Sequence, residues 1–350
     1  MADTAQTLAR PALSLAGLTR RFGALAAVDG VTLDIAEGEF FTIVGPSGSG
    51  KSTLVRILAG LEAPSSGRLS LRGRDITRVP ANKRPTAMVF QSLALFDHKS
   101  VGHNIEFSLK MKGVAPDARR ARALELLRLV RLPESYYDRA VTQCSGGERQ
   151  RIAMARALAS DPEILFFDEP LSAIDYRLRK TLEVELKELH QRTKRTFIYI
   201  THSLEEAMVM SDRIAIMREG RFVQIGTPQE IYARPASRFV ASFMGEVNIL
   251  AVEGTGEAAR FVEIDRPAPG AAGAWAVLRP EALQAGEGGE IRVEAEVAQR
   301  LMLGSRTQYH LRAGGLTLIA EIAAGTRRTF EPGERATFSF DSADVAWVTE

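Results

Sequence analysis

A glycine-rich stretch at residues 45–53 constrains the fold of this 350-residue chain more than any other feature. It reads GPSGSGKST, fits the pattern G-x-x-x-x-G-K-[ST], and follows the apolar run FFTIV at residues 40–44. A strand that ends in such a turn exposes backbone N–H groups, and a helix that begins after the turn adds the positive end of its dipole. The alternative, a Gly/Ser-rich surface loop, explains neither the strand pattern before the stretch nor the helical pattern after it.

The stretch therefore predicts a site for a nucleoside triphosphate. The Lys51 ammonium adds a full positive charge for the phosphates, and the Ser52 hydroxyl is a suitable ligand for Mg²⁺. The predicted nucleotide-binding residues of the stretch are Gly45, Pro46, Ser47, Gly48, Ser49, Gly50, Lys51, Ser52 and Thr53.

The composition is that of an ordinary soluble protein, with 45% hydrophobic residues, 25% charged residues and a net charge of +2. One Cys and five His exclude a disulfide framework and leave little material for a structural zinc site. No apolar stretch approaches the roughly 18 residues of a membrane-spanning helix. The N-terminus lacks the pattern of a secretory signal. We therefore expect a cytosolic protein that acts at a membrane only through partner subunits.

The length indicates two domains, and the first has an α/β pattern. Apolar runs at residues 164–167, 196–200 and 213–217 are short, nearly continuous and rich in β-branched or aromatic residues. This is typical of parallel strands buried on both faces. Earlier strands are predicted at residues 13–18, 25–28, 31–35 and 40–44, and helices at residues 52–60, 117–131, 146–160 and 172–193.

The pattern changes near residue 245, where glycine and alanine become frequent. Ile291, Val293, Ala295 and Val297 alternate with polar residues, as on a strand with one buried face. Residues 316–322 and 336–340 have the same character. Several short strands separated by glycine-rich turns predict a small β-barrel.

Two carboxylates end the apolar run at residues 164–167. A buried parallel strand would place Asp168 at the carboxyl edge of the sheet, beside the phosphate loop, where it would hold Mg²⁺ through water. Glu169 is then in position to orient or deprotonate an attacking water. A strand that simply ends in a polar turn is the alternative, and the loop at 45–53 favours the catalytic interpretation.

The sequence TQCSGGERQR at residues 142–151 resembles the signature of the ATP-binding cassette (ABC) ATPases. In that family a Ser-Gly-Gly turn begins a helix and closes over the ATP that a second cassette holds. The resemblance implies that Ser145, Gly146, Gly147 and Glu148 contact nucleotide in trans. Cys144 departs from the usual Leu before the serine, whereas Glu148 is a variant found in the family.

Other elements of the family follow in its usual order. Gln91 resembles the glutamine that contacts Mg²⁺ and water, and His202 the histidine that contacts the γ-phosphate. Phe22 matches the aromatic residue that stacks on adenine, and residues 172–175 match the loop that crosses between two cassettes. The resemblance thus implies Lys51, Gln91, Glu169 and His202 as catalytic residues, and Ser52, Gln91 and, through water, Asp168 as Mg²⁺ ligands.

The implied fold is an α/β P-loop NTPase at residues 1–243, followed by a small all-β barrel like an oligonucleotide-binding fold (a TOBE domain) at residues 244–350. The first part would be an ABC cassette with a RecA-like core, an antiparallel β subdomain and a helical subdomain. Motifs at residues 226–232, 278–281 and 303–307 resemble the tail and accessory barrel of importer cassettes.

The implied function is that of an ATPase subunit of an importer, peripheral on the cytoplasmic face of the inner membrane. Its expected partners are a second copy of itself, two permease subunits and, indirectly, a solute-binding protein. The motifs at residues 171–180 and 244–248 look most like those of spermidine/putrescine importers, with iron(III) and sugar importers as alternatives.

An ABC ATPase that acts on nucleic acid or ribosomes is the alternative from another class. The segment between Lys51 and Ser145 is too short for the coiled coil of DNA-repair members, and the chain has one cassette where translation-type members have two. The sequence therefore favours a transporter that has no nucleic-acid partner.

Overall fold

A computed structural model describes residues 11–172, 174–326 and 329–349. The chain divides into two compact units, Met1–Pro228 and Gln229–Glu350. The sequence boundary after residue 243 stays a prediction. Ala173 of the predicted crossing loop lies outside the described residues, as do residues 1–10 of the N-terminus, which lacks the pattern of a secretory signal.

The first unit contains a central sheet, a smaller antiparallel sheet and a group of helices. Its strands are β1 (Pro11–Phe22), β2 (Leu25–Ala36), β3 (Phe40–Val44), β4 (Ser66–Leu71), β5 (Arg74–Asp75), β6 (Thr86–Val89), β7 (Ile164–Asp168), β8 (Thr196–Ile200), β9 (Arg213–Arg218) and β10 (Arg221–Gly226). Its helices are α1 (Lys51–Ala59), α2 (Val101–Ile105), α3 (Phe107–Met111), α4 (Pro116–Leu129), α5 (Gly146–Ala159), α6 (Tyr176–Thr193) and α7 (Leu204–Met210).

The central sheet has the strand order β10-β9-β3-β8-β7-β6, and only β10 pairs in the antiparallel sense. Every residue of β3 and β8 is buried, as the continuous apolar runs predict. The carboxyl ends of β3 and β7 therefore meet at one edge of the sheet, which brings the phosphate loop and the carboxylate pair together.

Several predicted element bounds differ from the structure: the strand predicted at 13–18 is Pro11–Phe22, the helix predicted at 117–131 is Pro116–Leu129, and two further differences have a clear local cause. The strands predicted at 25–28 and 31–35 form the single strand β2, because the pairing with β1 continues on both sides of an irregularity. Gly30, which has a positive φ of 64°, lies at that irregularity. The helix predicted from residue 172 begins at Tyr176, because Asp175 caps it by accepting a hydrogen bond from the Leu178 N–H.

The antiparallel sheet and the helices complete the first unit. Strands β2, β1, β4 and β5 form a four-stranded sheet in that order. Buried side chains of α4 and α5 pack with those of α2 in one hydrophobic cluster, which extends to the central sheet at Phe167. The signature helix α5 thus packs on the same hydrophobic core as β7, the strand that ends at Asp168.

The second unit contains two antiparallel sheets around one core. Its elements are α8 (Pro228–Ala233), α9 (Arg238–Phe243), β11 (Asn248–Glu253), β12 (Arg260–Phe261), β13 (Arg266–Pro267), β14 (Trp275–Leu278), β15 (Gln284–Ala285), β16 (Ile291–Met302), β17 (Arg306–Ala313), β18 (Leu316–Ala323), β19 (Arg335–Phe340) and β20 (Val345–Val348). The sheets have the orders β13-β12-β11-β14-β20 and β15-β19-β16-β17-β18.

The alternation predicted in this unit is confirmed, because Ile291, Val293, Ala295 and Val297 of β16 are all buried. Side chains from both sheets, such as Phe261 and Phe338, share the core. Within the described parts of the chain, no helix has both the length and the apolar character needed to cross a membrane.

Candidate nucleotide-binding site

A cavity of about 560 Å³ opens over the phosphate loop of the first unit. It is large enough for a small ligand of nucleotide size. The residues around it include apolar side chains, a glycine-rich loop and three ionisable groups. Its lining residues are Phe22, Leu25, Ala27, Ser47, Gly48, Ser49, Gly50, Lys51, Ser52, Thr53, Glu169 and His202.

Glycines set the path of the loop. Gly50, which precedes α1, has a φ of 103°, and a Cβ there would lie 2.0 Å from the Ala27 carbonyl oxygen. A Cβ on Gly45 would lie 2.2 Å from the Met217 carbonyl oxygen. A side chain at either position would therefore displace neighbouring backbone, so the loop keeps this shape only with glycine.

Lys51 is buried at the start of α1, and its Nζ donates to the Gly45 oxygen at 2.7 Å and the Pro46 oxygen at 3.0 Å. Burial lowers the pKa of Lys51, an effect that the negative charges of Glu169 and Asp168 oppose. The Ser49 hydroxyl is buried and has no hydrogen-bond partner among the residues that the structure describes. A buried ammonium and an unpaired hydroxyl in one loop fit an anionic ligand such as a phosphate chain.

The two carboxylates lie at the end of β7, in different environments. Burial, and then the charge of Glu169, raise the pKa of Asp168. Glu169 has a left-handed backbone with φ of 45°, and its N–H donates to the Ile200 oxygen at 2.9 Å. Its Oε2 lies 3.1 Å from Nδ1 of His202. Two residues predicted from different stretches of the sequence thus form a hydrogen-bonded pair that lines the cavity.

Gln91 and Asp168 do not line the cavity. The Gln91 Nε2 donates to the Ser172 hydroxyl at 3.3 Å, and that hydroxyl donates to the Glu169 carbonyl oxygen at 2.9 Å. Gln91 is therefore connected to the backbone of Glu169 through one serine. Two hydrogen bonds thus connect Gln91, which lies in the segment before α2, with Glu169, which lines the cavity.

The donors that could hold Mg²⁺ are hard oxygens: the Asp168 carboxylate, the Ser52 hydroxyl and the Gln91 amide oxygen. The described residues contain no group of three or more His, Cys, Asp or Glu side chains arranged for a metal. Mg²⁺ in proteins is commonly held by one or two carboxylates together with substrate phosphates, so this sparse donor set fits it.

The signature turn does not contribute to the lining of this cavity. Ser145 caps α5 in a capping box: its hydroxyl accepts from the Glu148 N–H, and the Glu148 carboxylate accepts from the Ser145 N–H. Among the described residues, those that line the cavity include none of Ser145, Gly146, Gly147 and Glu148. Ser145 and Gly146 are exposed, whereas Gly147 is buried. One chain thus contains a candidate phosphate site and a separate helix N-terminus with two exposed turn residues.

Phe22 is 47% exposed at the cavity, and the Arg20 guanidinium lies 4.6 Å from its ring centre. Leu25 and Ala27 also line the cavity and were not predicted from the sequence. Phe22 pairs with Leu25 in the β1–β2 hairpin. A short turn after Phe22 in the sequence could therefore have indicated that Leu25 lies beside Phe22.

Comparison with known proteins decides the family. A family model described as ABC transporter matches residues 28–172, and a TOBE domain model matches residues 276–348. The chain is 44% identical to a spermidine/putrescine import ATP-binding protein of Rubrobacter xylanophilus, over 95% of this chain and 92% of the relative. The chain belongs to the ABC transporter family of ATP-binding proteins. Its cassette is an ATPase with a P-loop NTPase fold, and the predicted fold class is confirmed.

Other relatives agree with this assignment. A spermidine/putrescine import ATP-binding protein of Pseudomonas aeruginosa is 42% identical over 96% of both chains. An Fe(3+) ions import ATP-binding protein of Rhizobium etli is 39% identical over 94% of this chain and 95% of the relative.

Solved structures resemble the cassette. A dimeric ATP-binding cassette in a post-hydrolysis state with ADP and Pi has a TM-score of 0.54 and 31% identity, covering 62% of this chain and 98% of that one. A cassette of Clostridium perfringens, part of the ABC transporter complex cbiONQ, has a TM-score of 0.60 and 27% identity, covering 64% and 91%.

Proposed function

We propose that this protein is the ATP-hydrolysing subunit of an importer, in which two copies close around two ATP molecules and drive uptake of a small solute. The observation that carries the proposal is the split site. The phosphate loop and the Glu169–His202 pair share one cavity, whereas the signature turn of the same chain lies outside it. A second copy would supply the missing turn, and the dimeric state of a similar cassette supports this.

The chemistry follows from the positions of the loop, the carboxylate–histidine pair and the oxygen donors for Mg²⁺. Lys51 and the loop N–H groups bind and orient the phosphates. Glu169 accepts the proton of the attacking water, and His202, which is bonded to Glu169, contacts the γ-phosphate. Ser52, Asp168 and Gln91 would hold Mg²⁺, which neutralises phosphate charge when it is bound.

ATP binding would act on the membrane partners through the segment after Gln91. Residues 91–104 are the proposed contact with the permease, and the bonds from Gln91 through Ser172 to Glu169 connect that segment with the catalytic site. The protein would then be peripheral on the cytoplasmic face of the inner membrane. A solute-binding protein would be an indirect partner.

The cargo class that we propose is a polyamine such as spermidine or putrescine. The names of relatives that match over nearly the whole chain, including the TOBE region, support it. A similar iron importer subunit keeps iron(III) as the second candidate. The cassette does not contact the cargo in this mechanism. The proposed cargo therefore rests on sequence similarity to the named relatives and not on residues that bind the cargo.

Reconstitution tests the function. The protein, its permease and the solute-binding protein are placed in liposomes, and ATPase rates are measured with spermidine, iron(III) or a sugar in turn. We expect stimulation by polyamine alone. Stimulation by iron or sugar only would overturn the cargo assignment, and full activity without membrane partners but with DNA or ribosomes would overturn the importer.

A further inference from the structure

Both oxygens of the Glu148 carboxylate are bound. Its Oε2 accepts from the Ser145 N–H at 2.7 Å, as part of the capping box. Its Oε1 accepts from the Tyr136 hydroxyl at 2.6 Å. Tyr136 belongs to a short 3₁₀ helix, Glu134–Asp138, which precedes α5 in the chain. The signature turn is therefore held by a side chain from a different element.

The surroundings of Tyr136 make this bond well defined. Its half-buried ring packs against the core that includes α4 and α5, and the Arg139 guanidinium lies 4.3 Å from the ring centre. The Tyr136 hydroxyl and the Ser145 N–H lower the pKa of Glu148, and the same bond raises the pKa of Tyr136. Glu148 is thus ionised at neutral pH, and Tyr136 remains a donor.

The negative charge of Glu148 would oppose the binding of phosphates at the signature turn. Under the proposed function, which this inference depends on, the signature turn closes over the phosphates of a partner's ATP. Like charges brought close together oppose association, and the penalty grows as water is excluded. A carboxylate that is free to rotate would therefore weaken closure, whereas one fixed by two donors has a constant position and part of its charge compensated.

We propose that Tyr136 is a positioning residue for nucleotide binding in trans. Its hydroxyl holds the Glu148 carboxylate against the start of α5, so that the Ser145 hydroxyl and the first N–H groups of the helix receive the partner's ATP. Tyr136 itself touches no nucleotide in this arrangement. The contacts that assign this role are the bonds of Tyr136 and Ser145 to the two oxygens of one side chain.

The first test is Tyr136→Phe, which removes one hydroxyl and keeps the ring. We expect the KM for ATP of the cooperative ATPase to rise about three- to tenfold with little change in kcat, because the ground-state assembly is weakened rather than the chemistry. Binding of a fluorescent ATP analogue to the isolated monomer should not change. The matched control is Tyr137→Phe, whose hydroxyl contacts the buried Glu106, and which should alter the melting temperature without altering KM.

The deciding test is a double-mutant cycle with Glu148→Gln. Glutamine has no charge to hold, so adding Tyr136→Phe to this variant should change KM less than about twofold. An equal rise of KM in both backgrounds would overturn the role of Tyr136, as would an unchanged KM in Tyr136→Phe alone. A wild-type protein without cooperative ATPase would count instead against the proposed function, so the two failures are distinguishable.

Discussion

Glu169 combines a strained backbone with a defined partner. It is one of the few non-glycine residues with a positive φ, 45°, and it bonds to His202 at 3.1 Å. Strain of this kind persists where the surrounding structure enforces it, often at active sites. The strain therefore supports the proposal that Glu169 activates water.

For Glu169→Gln we expect at least about a hundredfold loss of ATP hydrolysis with retained ATP binding, because the amide cannot accept the proton. Steady-state phosphate release and equilibrium ATP binding are the measurements. Glu219→Gln, at an exposed turn, is the matched control. Near-normal turnover in Glu169→Gln would show that Glu169 is not the general base.

Asp168 gives a prediction on stability. Its pKa in the folded chain is raised above the ordinary value of 3.8, so the folded state binds its proton more tightly than the unfolded state. Its ionisation therefore lowers stability at neutral pH, and this cost disappears as the pH falls through the raised value toward 3.8.

Asp168→Asn should consequently raise the melting temperature at pH 7 by about 2 °C, while Mg²⁺-dependent hydrolysis is lost. The gain should shrink in acid, and calorimetry at several pH values measures it. The exposed Asp344→Asn serves as control. A gain that is independent of pH would show that ionisation is not its cause.

At the scale of elements, helix α1 depends on a buried arginine at its far end. Arg84 donates to the carbonyl oxygens of Ile57 and Leu58 at the end of α1, at 2.9 and 2.7 Å, and to that of Ile76 at 2.8 Å. Burial lowers the pKa of Arg84. The guanidinium thus adds donors to carbonyls at the end of the helix, and the Ile57 oxygen among them also accepts from the Gly60 N–H.

Lysine cannot reproduce this fork of donors, so Arg84→Lys should destabilise the fold by about 2–4 kcal/mol in urea unfolding. Lys83→Ala, at the exposed neighbouring position, should cost less than about 0.5 kcal/mol. Equal costs for the two variants would mean that these bonds contribute little.

The signature turn provides the second prediction at this scale. Ser145→Arg places a long side chain on the signature turn, where the partner's ATP would bind. Cooperative hydrolysis should therefore fall by about a hundredfold. The monomer should still bind ATP, because the turn lies outside the cavity of its own chain. Isothermal titration and ATPase assays measure the two properties. Loss of ATP binding in the monomer would show that the turn serves its own chain.

Elements with a strong local pattern were predictable from the sequence. Strands β3 and β8 were predicted with correct bounds, since continuous apolar runs bounded by turns have few alternatives. The start of α6 was predicted four residues early, because residues 172–175 look helical until the Asp175 cap is seen. The role of Gly30 within β2 depends on pairing, which a local pattern does not reveal.

The site was predictable where a motif fixes the chemistry, and hidden where distant segments meet. The loop and the Glu169–His202 pair follow from residues next to strand ends. Arg84 and Tyr136 carry no motif, because their partners are backbone carbonyls and a carboxylate from other parts of the chain. Only the folded structure brings these groups together.

At the scale of the whole molecule, the proposed mechanism needs two copies of the chain for every functional site. One chain would hold the phosphates, and the other would supply the signature turn. Assembly would then depend on nucleotide and not on apolar contact alone. An enzyme that completes its site within one chain has no such dependence.

The measurement that tests this most directly is sedimentation equilibrium of Glu169→Gln with and without ATP and Mg²⁺. We predict a dimer that binds two ATP molecules and returns to monomer when nucleotide is removed, and a monomer under all conditions when Ser145→Arg is added. A Glu169→Gln protein that stays monomeric at saturating ATP would contradict the account, as would an ATP-dependent dimer that persists in the double variant.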